Sequence, residues 1–262
     1  MKEQGTLTGK TDDGIVWRYT GDIFSGQKHG KGKIEWSDGD IYEGDFVEGK
    51  RTGKGKYKWS NGQVYEGDLT NNQRNGKGKN IYSNGDVYEG DWTNDQPNGK
   101  GKYTWSDGDV YEGEFNNGER TGKGITRSAS GVIWEGDFIK GNLSGKGKYS
   151  LPDGNILEGD FVNGKFTGKG KKIIPNIGIY EGDVVDSLYS GKGVFTFAGN
   201  GCSIECNFIA GKRMDGKGKI TFIDGVVWEG EFVNEILSGK GKIIHASGRI
   251  EECNFIDGKP VY

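Results

Sequence analysis

Apolar and polar positions alternate along this chain with a period of two residues. In residues 42–46, Tyr42 and Phe46 fall on one side of such a segment, whereas Glu43 and Asp45 fall on the other. Residues 53–59 continue the pattern, with lysine at every second position. A period of two predicts β-strands, and no segment follows the 3.6-residue period of an amphipathic helix.

The same pair of segments returns along the chain at a fixed interval. We call the residue two before the glycine of each Tyr-Glu-Gly-Asp-like box the marker. The markers recur at steps of 23 or 24 residues, at Tyr19, Tyr42, Tyr65, Tyr88, Tyr111, Trp134, Leu157, Tyr180, Ile204, Trp228 and Glu251. A Gly-Lys-Gly box follows each of the first ten markers. The chain therefore contains ten full repeats and a final half repeat.

Each repeat is predicted to form one β-hairpin. Pairing the two strands around a loop at residues 47–52 places acidic residues opposite lysines and aromatic residues opposite each other, which stabilises an antiparallel pair. The opposed pairs are Tyr42–Tyr57, Glu43–Lys56 and Asp45–Lys54. Gly44 and Gly55 fall on the aromatic face, where they leave room for rings of neighbouring strands.

The connection to the next repeat is predicted from the parity of the alternation. A three-residue loop, Ser60-Asn61-Gly62, keeps Tyr57 opposite Tyr65 and all markers on one face. Such a loop is typical of a type I turn followed by glycine in the left-handed region. A two-residue turn would place Tyr65 on the lysine face instead.

These boxes resemble the repeats of the MORN family (membrane occupation and recognition nexus) over residues 19–259. The shared pattern is Tyr-Glu-Gly-Glu/Asp-Trp/Phe, a polar turn, Gly-Lys-Gly and a short strand that ends in Asp-Gly. The resemblance implies an all-β fold: an elongated, twisted, open-ended antiparallel ribbon of tandem 23-residue hairpins. We expect residues 1–18 to form an N-terminal cap segment and residues 19–262 to form the repeats, over about 100 Å at two strands per repeat.

Charge and hydropathy exclude several classes of function. The chain has 35 basic and 38 acidic residues, and this near-neutral balance does not predict the net basic charge that a nucleic-acid-binding protein usually carries. There is no polybasic tract for an anionic membrane surface, and no apolar run of the roughly 18 residues that a membrane span needs. The first ten residues lack the apolar stretch of a signal peptide. We therefore expect a cytoplasmic protein without a transmembrane segment.

No constellation of residues predicts catalysis, a metal site or a cofactor. His29 and His245 fall in a turn and in an aromatic column, where surface or packing roles are expected. The Gly-Lys-Gly box lacks the following helix that would hold a phosphate. Cys206 and Cys253 occupy the column of Gly44, and two repeats separate them by about 20 Å, too far for a disulfide. The sequence thus predicts a non-enzyme with reduced, unpaired cysteines.

Two non-enzymatic functions remain open. The resemblance implies either a protein-binding scaffold, as in MORN-only proteins of cytoskeletal and ciliary assemblies such as axonemal radial spokes, or a phospholipid-binding membrane tether. A protein that binds anionic lipid should present a basic surface with few acidic residues. Here the lysines interleave with Glu43, Asp45 and their equivalents, which favours the scaffold. The expected partners are therefore other proteins of a larger assembly, with anionic phospholipid as the alternative.

A row of residues nine positions after each marker suggests where a partner could bind. The row is mostly basic in the first five repeats and mostly apolar in the later ones. Its basic members are Lys28, Arg51, Arg74 and Arg120. Its apolar members are Leu143, Phe166, Tyr189 and Leu237, which Leu188 and Ile236 extend.

Two interpretations of this row remain open. If the residues lie in loops, they line one edge of the ribbon about 10 Å apart. A contiguous exposed apolar row marks an interaction site, here one suited to an amphipathic acidic helix or strand. Alternatively, the apolar side chains fold back over a core made thinner by Leu157, Ile174 and Val184.

Overall fold

The computed structural model describes residues 2–262 and contains two compact units, with a boundary between Ala129 and Ser130. Strands are the only regular elements among the described residues. The boundary falls in the turn after Arg127, where Ser128 follows Trp36, Trp59, Tyr82 and Trp105 in the same column.

The first unit is an antiparallel sheet in which each strand pairs with the next along the chain. Its strands are β1 (Lys2–Lys10), β2 (Val16–Phe24), β3 (Gln27–Trp36), β4 (Ile41–Val47), β5 (Lys50–Lys58), β6 (Val64–Thr70), β7 (Gln73–Ile81), β8 (Val87–Thr93), β9 (Gln96–Thr104), β10 (Val110–Asn116) and β11 (Glu119–Arg127).

The second unit has the same antiparallel order, with one hairpin arm divided into β19 and β20, both of which pair with β18. Its strands are β12 (Ile133–Ile139), β13 (Asn142–Ser150), β14 (Ile156–Val162), β15 (Lys165–Ile174), β16 (Gly178–Val185), β17 (Leu188–Phe197), β18 (Ser203–Ile209), β19 (Lys212–Arg213), β20 (Gly216–Thr221), β21 (Val227–Val233), β22 (Ile236–Ile244), β23 (Ile250–Ile256) and β24 (Lys259–Val261).

The register between repeats confirms the predicted tandem hairpins. Tyr57 pairs with Tyr42 on one side and with Tyr65 on the other, so the markers share one face. Gly62 has φ of +90° and donates its amide to the carbonyl of Trp59 at 3.0 Å. This is the left-handed glycine that the three-residue loop requires.

The loop within each hairpin is shorter than predicted. Strands β4 and β5 continue to Val47 and Lys50, leaving a two-residue turn at Glu48 and Gly49 instead of a loop at 47–52. Both turn residues have positive φ, +48° and +79°. This is a type I′ turn, whose twist matches that of antiparallel strands.

A bulge opposite Asp45 accommodates the additional residues. The register shifts between Gly44 and Phe46, so Asp45 does not pair with Lys54 across this hairpin as predicted. Gly53 has φ of +88°, and the Asp45 carboxylate accepts the amide of Lys54 at 3.0 Å. The carboxylates of Asp22, Asp45, Asp68, Asp91 and Asp160 each accept the backbone amide that the bulge removes from the ladder.

Tyrosine rings form the core of the aromatic face. Tyr65 is fully buried, donates its hydroxyl to the carbonyl of Asp68 at 2.7 Å, and lies edge-on to Trp92 with ring centroids 5.5 Å apart. It covers a pair of facing glycines, Gly67 and Gly78. A ring can lie this close to the backbone only because neither glycine carries a Cβ.

Candidate interaction surfaces

Three apolar members of the predicted row are buried. Leu143, Phe166 and Leu237 are 3%, 1% and 1% exposed. They lie in strands rather than loops, and Leu143, for example, pairs with the buried Phe138 on the aromatic face. The expectation that these three side chains form an exposed stripe is wrong, and they cover the core as in the alternative interpretation.

The reason lies in the marker residues of the same repeats. Where the marker is Trp134 or Leu157, no tyrosine ring covers the facing glycines. Leu143 fills that space, since a Cβ built on Gly147 would lie 3.0 Å from its methyl groups. Phe166 does the same in the next repeat, with its Cζ 2.2 Å from a Cβ built on Gly170.

The remaining apolar members of the prediction have different environments. Tyr189 is half-buried and stacks on the ring of Tyr180, with centroids 3.9 Å apart and planes at 18°. Leu188 and Ile236 are exposed, and each occupies the first strand position after a type I′ turn. Only these two of the predicted apolar residues are on the open surface.

The basic members of the row lie against aromatic rings. The Lys28 ammonium is 4.1 Å from the Trp17 ring centroid. The Arg74 guanidinium carbon is 4.2 Å from the Trp92 ring centroid, and its Nε is 3.1 Å from the Asp95 carboxylate. The contacts of Lys28 and Arg74 with the two tryptophan rings are cation–π interactions.

The other two basic residues have similar contacts. The guanidinium carbon of Arg51 is 5.1 Å from the Tyr57 ring, and that of Arg120 is 5.3 Å from the Trp105 ring. Burial lowers the pKa of Arg120. In the first unit, the basic row therefore extends the packing of the aromatic face.

The opposite face carries ladders of ion pairs. In the first unit, Lys54 reaches the carboxylate of Asp68 in the next repeat at 2.6 Å, and Lys56 reaches Glu66 at 3.0 Å. Equivalent pairs recur at Lys31–Asp45, Lys77–Asp91, Lys79–Glu89 and Lys102–Glu112. These lysines and glutamates, with glycine backbone between them, line an open groove from β1 to β9.

The second unit repeats this arrangement. Lys146 reaches Asp160 at 2.7 Å, and the backbone amide of Lys169 donates to the same carboxylate at 3.2 Å. The Lys146 hydrogen bond, with a contribution from the Lys169 amide, outweighs desolvation and holds the pKa of Asp160 below its usual value. The aspartate thus has two structural tasks: it links neighbouring repeats and it caps the bulge.

Sequence reasoning missed an exposed apolar row five residues after the markers. In the second unit every repeat has Ile or Val there, and each side chain is 45–59% exposed. We name Ile139, Val162, Val185, Ile209, Val233 and Ile256 the apolar edge row. In the first unit the equivalent positions are Phe24 and Val47, which are also exposed, followed by Thr70, Thr93 and Asn116. The signal in the sequence is that this column, polar at residues 70, 93 and 116, is apolar in every repeat from Ile139 onward, although alternation assigns it to the charged face.

Other chemistry is sparse among the described residues. No group of three or more His, Cys, Asp or Glu side chains in residues 2–262 is arranged to hold a metal ion. Cys206 and Cys253 are buried and free, opposite Gly193 and Gly241, and burial raises the pKa of Cys206 to about 11. No helix long and apolar enough to cross a membrane occurs in that range.

Comparison with protein families identifies the repeat. A profile of the MORN repeat matches ten segments: residues 19–41, 42–64, 65–87, 88–110, 111–133, 134–156, 158–176, 180–202, 210–227 and 228–248. The chain belongs to the MORN repeat family. Eight MORN segments begin at a marker, while the other two begin later, in the repeats marked by Leu157 and Ile204. MORN repeat proteins are generally non-enzymatic scaffolds that bind proteins or membranes.

Comparisons with individual proteins add no functional argument. No curated protein has a significant match to this MORN chain. Among solved structures, the TCP domain of SAS-4 from Drosophila melanogaster is 12% identical, covers 78% of this chain and 84% of its own, and has a TM-score of 0.23. Virginiamycin B lyase from Staphylococcus aureus is 16% identical, covers 97% and 89%, and has a TM-score of 0.18.

Proposed function

We propose that this MORN chain is a non-enzymatic scaffold that binds other proteins within a cytoskeletal or ciliary assembly, of the kind found in axonemal radial spokes. The proposal includes a cytoplasmic location. One observation favours protein over lipid as the binding partner: along the charged face, lysines are paired with carboxylates. The cytoskeletal setting rests on the resemblance to MORN-only proteins.

The physical reason is electrostatic. A lysine near an anionic membrane contributes about 1 kcal/mol of attraction, provided that its charge is available. Lys54 and Lys77 each lie within 2.6 Å of an aspartate that they would have to exchange for lipid phosphates. The carboxylates would then face the negative surface, and their repulsion offsets the attraction. A face of paired charges suits polar contacts with a protein better than adsorption to anionic lipid.

Fractionation of native cells that express the tagged full chain tests the proposal. We expect the chain to remain with the cytoskeletal or axonemal pellet after extraction with non-ionic detergent. A chain released into the detergent-soluble membrane fraction would contradict the scaffold function.

Vesicle sedimentation provides the matching measurement in vitro. Phosphatidylcholine vesicles with and without 30% phosphatidylserine, at low and high salt, test the phospholipid alternative, because attraction to anionic lipid is screened by salt. We expect little sedimentation with either vesicle. Salt-sensitive binding to the anionic vesicles would support the membrane tether instead.

A further inference from the structure

The apolar edge row of the second unit lies beside its type I′ turns. In two repeats the row widens, because Val185 pairs with the exposed Leu188, and Val233 pairs with the exposed Ile236. All eight side chains project on the side of the charged residues, away from the aromatic core. The same strands bury Phe138, Phe161, Val184, Phe208, Phe232 and Phe255 on the opposite face, so the core does not depend on the side chains of the row.

The row is held at a regular spacing. Successive turns are joined by backbone hydrogen bonds, such as those from the Gly164 amide to the Leu143 carbonyl at 2.8 Å and from the Gly211 amide to the Tyr189 carbonyl at 2.9 Å. With two strands per repeat, one apolar residue recurs about every 10 Å along the row. The six members therefore span roughly 50 Å.

The exposed area is that of a specific interface. At 45–59% exposure, each of the eight side chains presents on the order of 100 Å². Together they present about 800 Å², which equals one partner's share of a standard protein–protein interface. Scattered exposed apolar residues are common on protein surfaces, but an aligned set of this size marks an interaction site.

The free charges beside the row are mainly basic. Lys140, Lys212 and Lys259 have no ion-pair partner within residues 2–262, whereas Lys165 is paired with Asp186 at 3.1 Å. Among the acids of these turns, Asp186 and Glu235 are paired, the latter with Arg213 at 3.3 Å, and Asp257 is the one acid without an ion pair among residues 2–262. The row therefore offers apolar contacts together with cations that a partner's carboxylates can neutralise.

We propose that the apolar edge row docks one amphipathic, acidic α-helix of a partner protein, which lies along the row across the hairpins. A helix advances 10.5 Å in seven residues at about 1.5 Å per residue, close to the spacing of about 10 Å between repeats. One apolar residue per heptad can thus meet one member of the row in each repeat. Glutamates beside that seam meet Lys140, Lys212 and Lys259.

The charges disfavour a second copy of this chain as the occupant. A two-fold axis that packs two rows antiparallel brings Lys140 of one copy near Lys259 of the other. A parallel two-fold arrangement brings each lysine near its own equivalent. Both arrangements place like charges together, which is destabilising across an interface. An acidic helix avoids this cost.

This inference rests on the proposed scaffold function and specifies which partner structure the scaffold recognises. Its test uses the full chain and a labelled synthetic 36-residue helix, with leucine at position 1 and every seventh position after it, six in all, and glutamate beside each leucine. About 54 Å of helix covers the row. Two control peptides have lysine in place of glutamate, or leucines moved out of the heptad spacing. Binding is measured by fluorescence anisotropy at low and physiological salt.

The test variant carries Val162→Thr, Val185→Thr, Ile209→Thr and Val233→Thr. Threonine stands at the equivalent positions 70 and 93, so it suits this strand position. The matched control is Val47→Thr, an exposed valine in the same column of the first unit. We expect the fourfold variant to bind the acidic helix at least tenfold more weakly, with an unchanged unfolding temperature, and the control to bind like the wild type.

Three results would overturn the inference. The first is equal binding of the basic and acidic helices, and the second is unchanged binding by the fourfold variant. The third is self-association of the wild type that the fourfold variant abolishes, which would show that a second copy of the chain binds the row. If wild-type chain stays in the cytoskeletal pellet but fails to bind the helix, the docking row is wrong and the scaffold function stands. If the wild type partitions with membranes, the scaffold function itself fails.

Discussion

A single methyl group at Gly78 provides a direct test of how the tyrosine markers hold the array together. A Cβ built there would lie 2.4 Å from the Tyr65 hydroxyl oxygen and 2.6 Å from two of its ring carbons. Real Cβ atoms do not approach other heavy atoms this closely. The Tyr65 ring is 1% exposed and packs against Trp92, so it has no free space into which to move.

The expected cost of Gly78→Ala follows from three contributions. Overpacking of a filled core costs about 1–3 kcal/mol. Displacement of the ring also weakens the 2.7 Å hydrogen bond from Tyr65 to Asp68, worth about 1 kcal/mol. In the other direction, alanine stabilises the folded state by about 0.5–1 kcal/mol relative to glycine, because glycine loses more backbone entropy on folding. The net destabilisation is about 1–3.5 kcal/mol, or roughly 2–14 °C in unfolding temperature for a chain of this length.

Urea and thermal unfolding followed by tryptophan fluorescence measure this loss, since Trp92 reports on the same packing. Gly199→Ala is the matched control, because Gly199 has no atom within 4 Å of its Cβ position and no positive φ. We expect it to be neutral or slightly stabilising. In a Tyr65→Leu background, Gly78→Ala should cost at least 1 kcal/mol less, as expected for two residues in contact. Equal costs in both backgrounds would refute the steric reasoning.

Three further predictions concern charge, thiols and the first strand. Lys146 and the Lys169 amide lower the pKa of Asp160. The contacts of Asp160 should therefore stabilise the fold fully above the usual aspartate pKa and lose their contribution as the pH falls below about 4. An NMR titration of Asp160 with a midpoint at or above about 4 would contradict this. Thiol titration of denatured, unreduced protein should find three free thiols, and finding one would contradict unpaired cysteines. Deletion of residues 1–18 exposes an edge strand and should promote self-association in light scattering; an unchanged monomer would count against the capping role.

The strands and their register were predictable because they depend on local, repeated features. The alternation around Tyr42 and Tyr65 fixes which side chains share a face. Only a loop with an odd number of residues keeps that parity from repeat to repeat, which explains why Gly62 was assigned correctly to the left-handed region. Ten copies of one pattern make such an argument stronger than it is for a single hairpin, because each repeat tests it again.

The short turn and the bulge were missed for a physical reason. The separation between Phe46 and Gly53 fits either a wide loop or a two-residue turn followed by a bulge. The choice depends on the Asp45 carboxylate, which accepts the Lys54 amide at 3.0 Å and makes the bulge favourable. Alternation predicts which face a side chain takes but not that it bonds to the backbone. Asparagine at position 71, with φ of +48°, was the available signal for a type I′ turn.

The error in the partner site shows how core filling can imitate a binding site in a repeat sequence. A change from Arg120 to Leu143 in one column looks like a change of surface, yet it compensates for the change of marker from tyrosine to Trp134. In the repeats marked by Trp134 and Leu157, the side chain over the paired glycines comes from the second strand instead of the first, so the two columns change together there. The column five residues after the marker has no such constraint, because it faces away from the core. A change there, from Thr93 to Val162, alters the surface without altering the packing. Variation that the fold does not require is therefore the better guide to partner binding in this array.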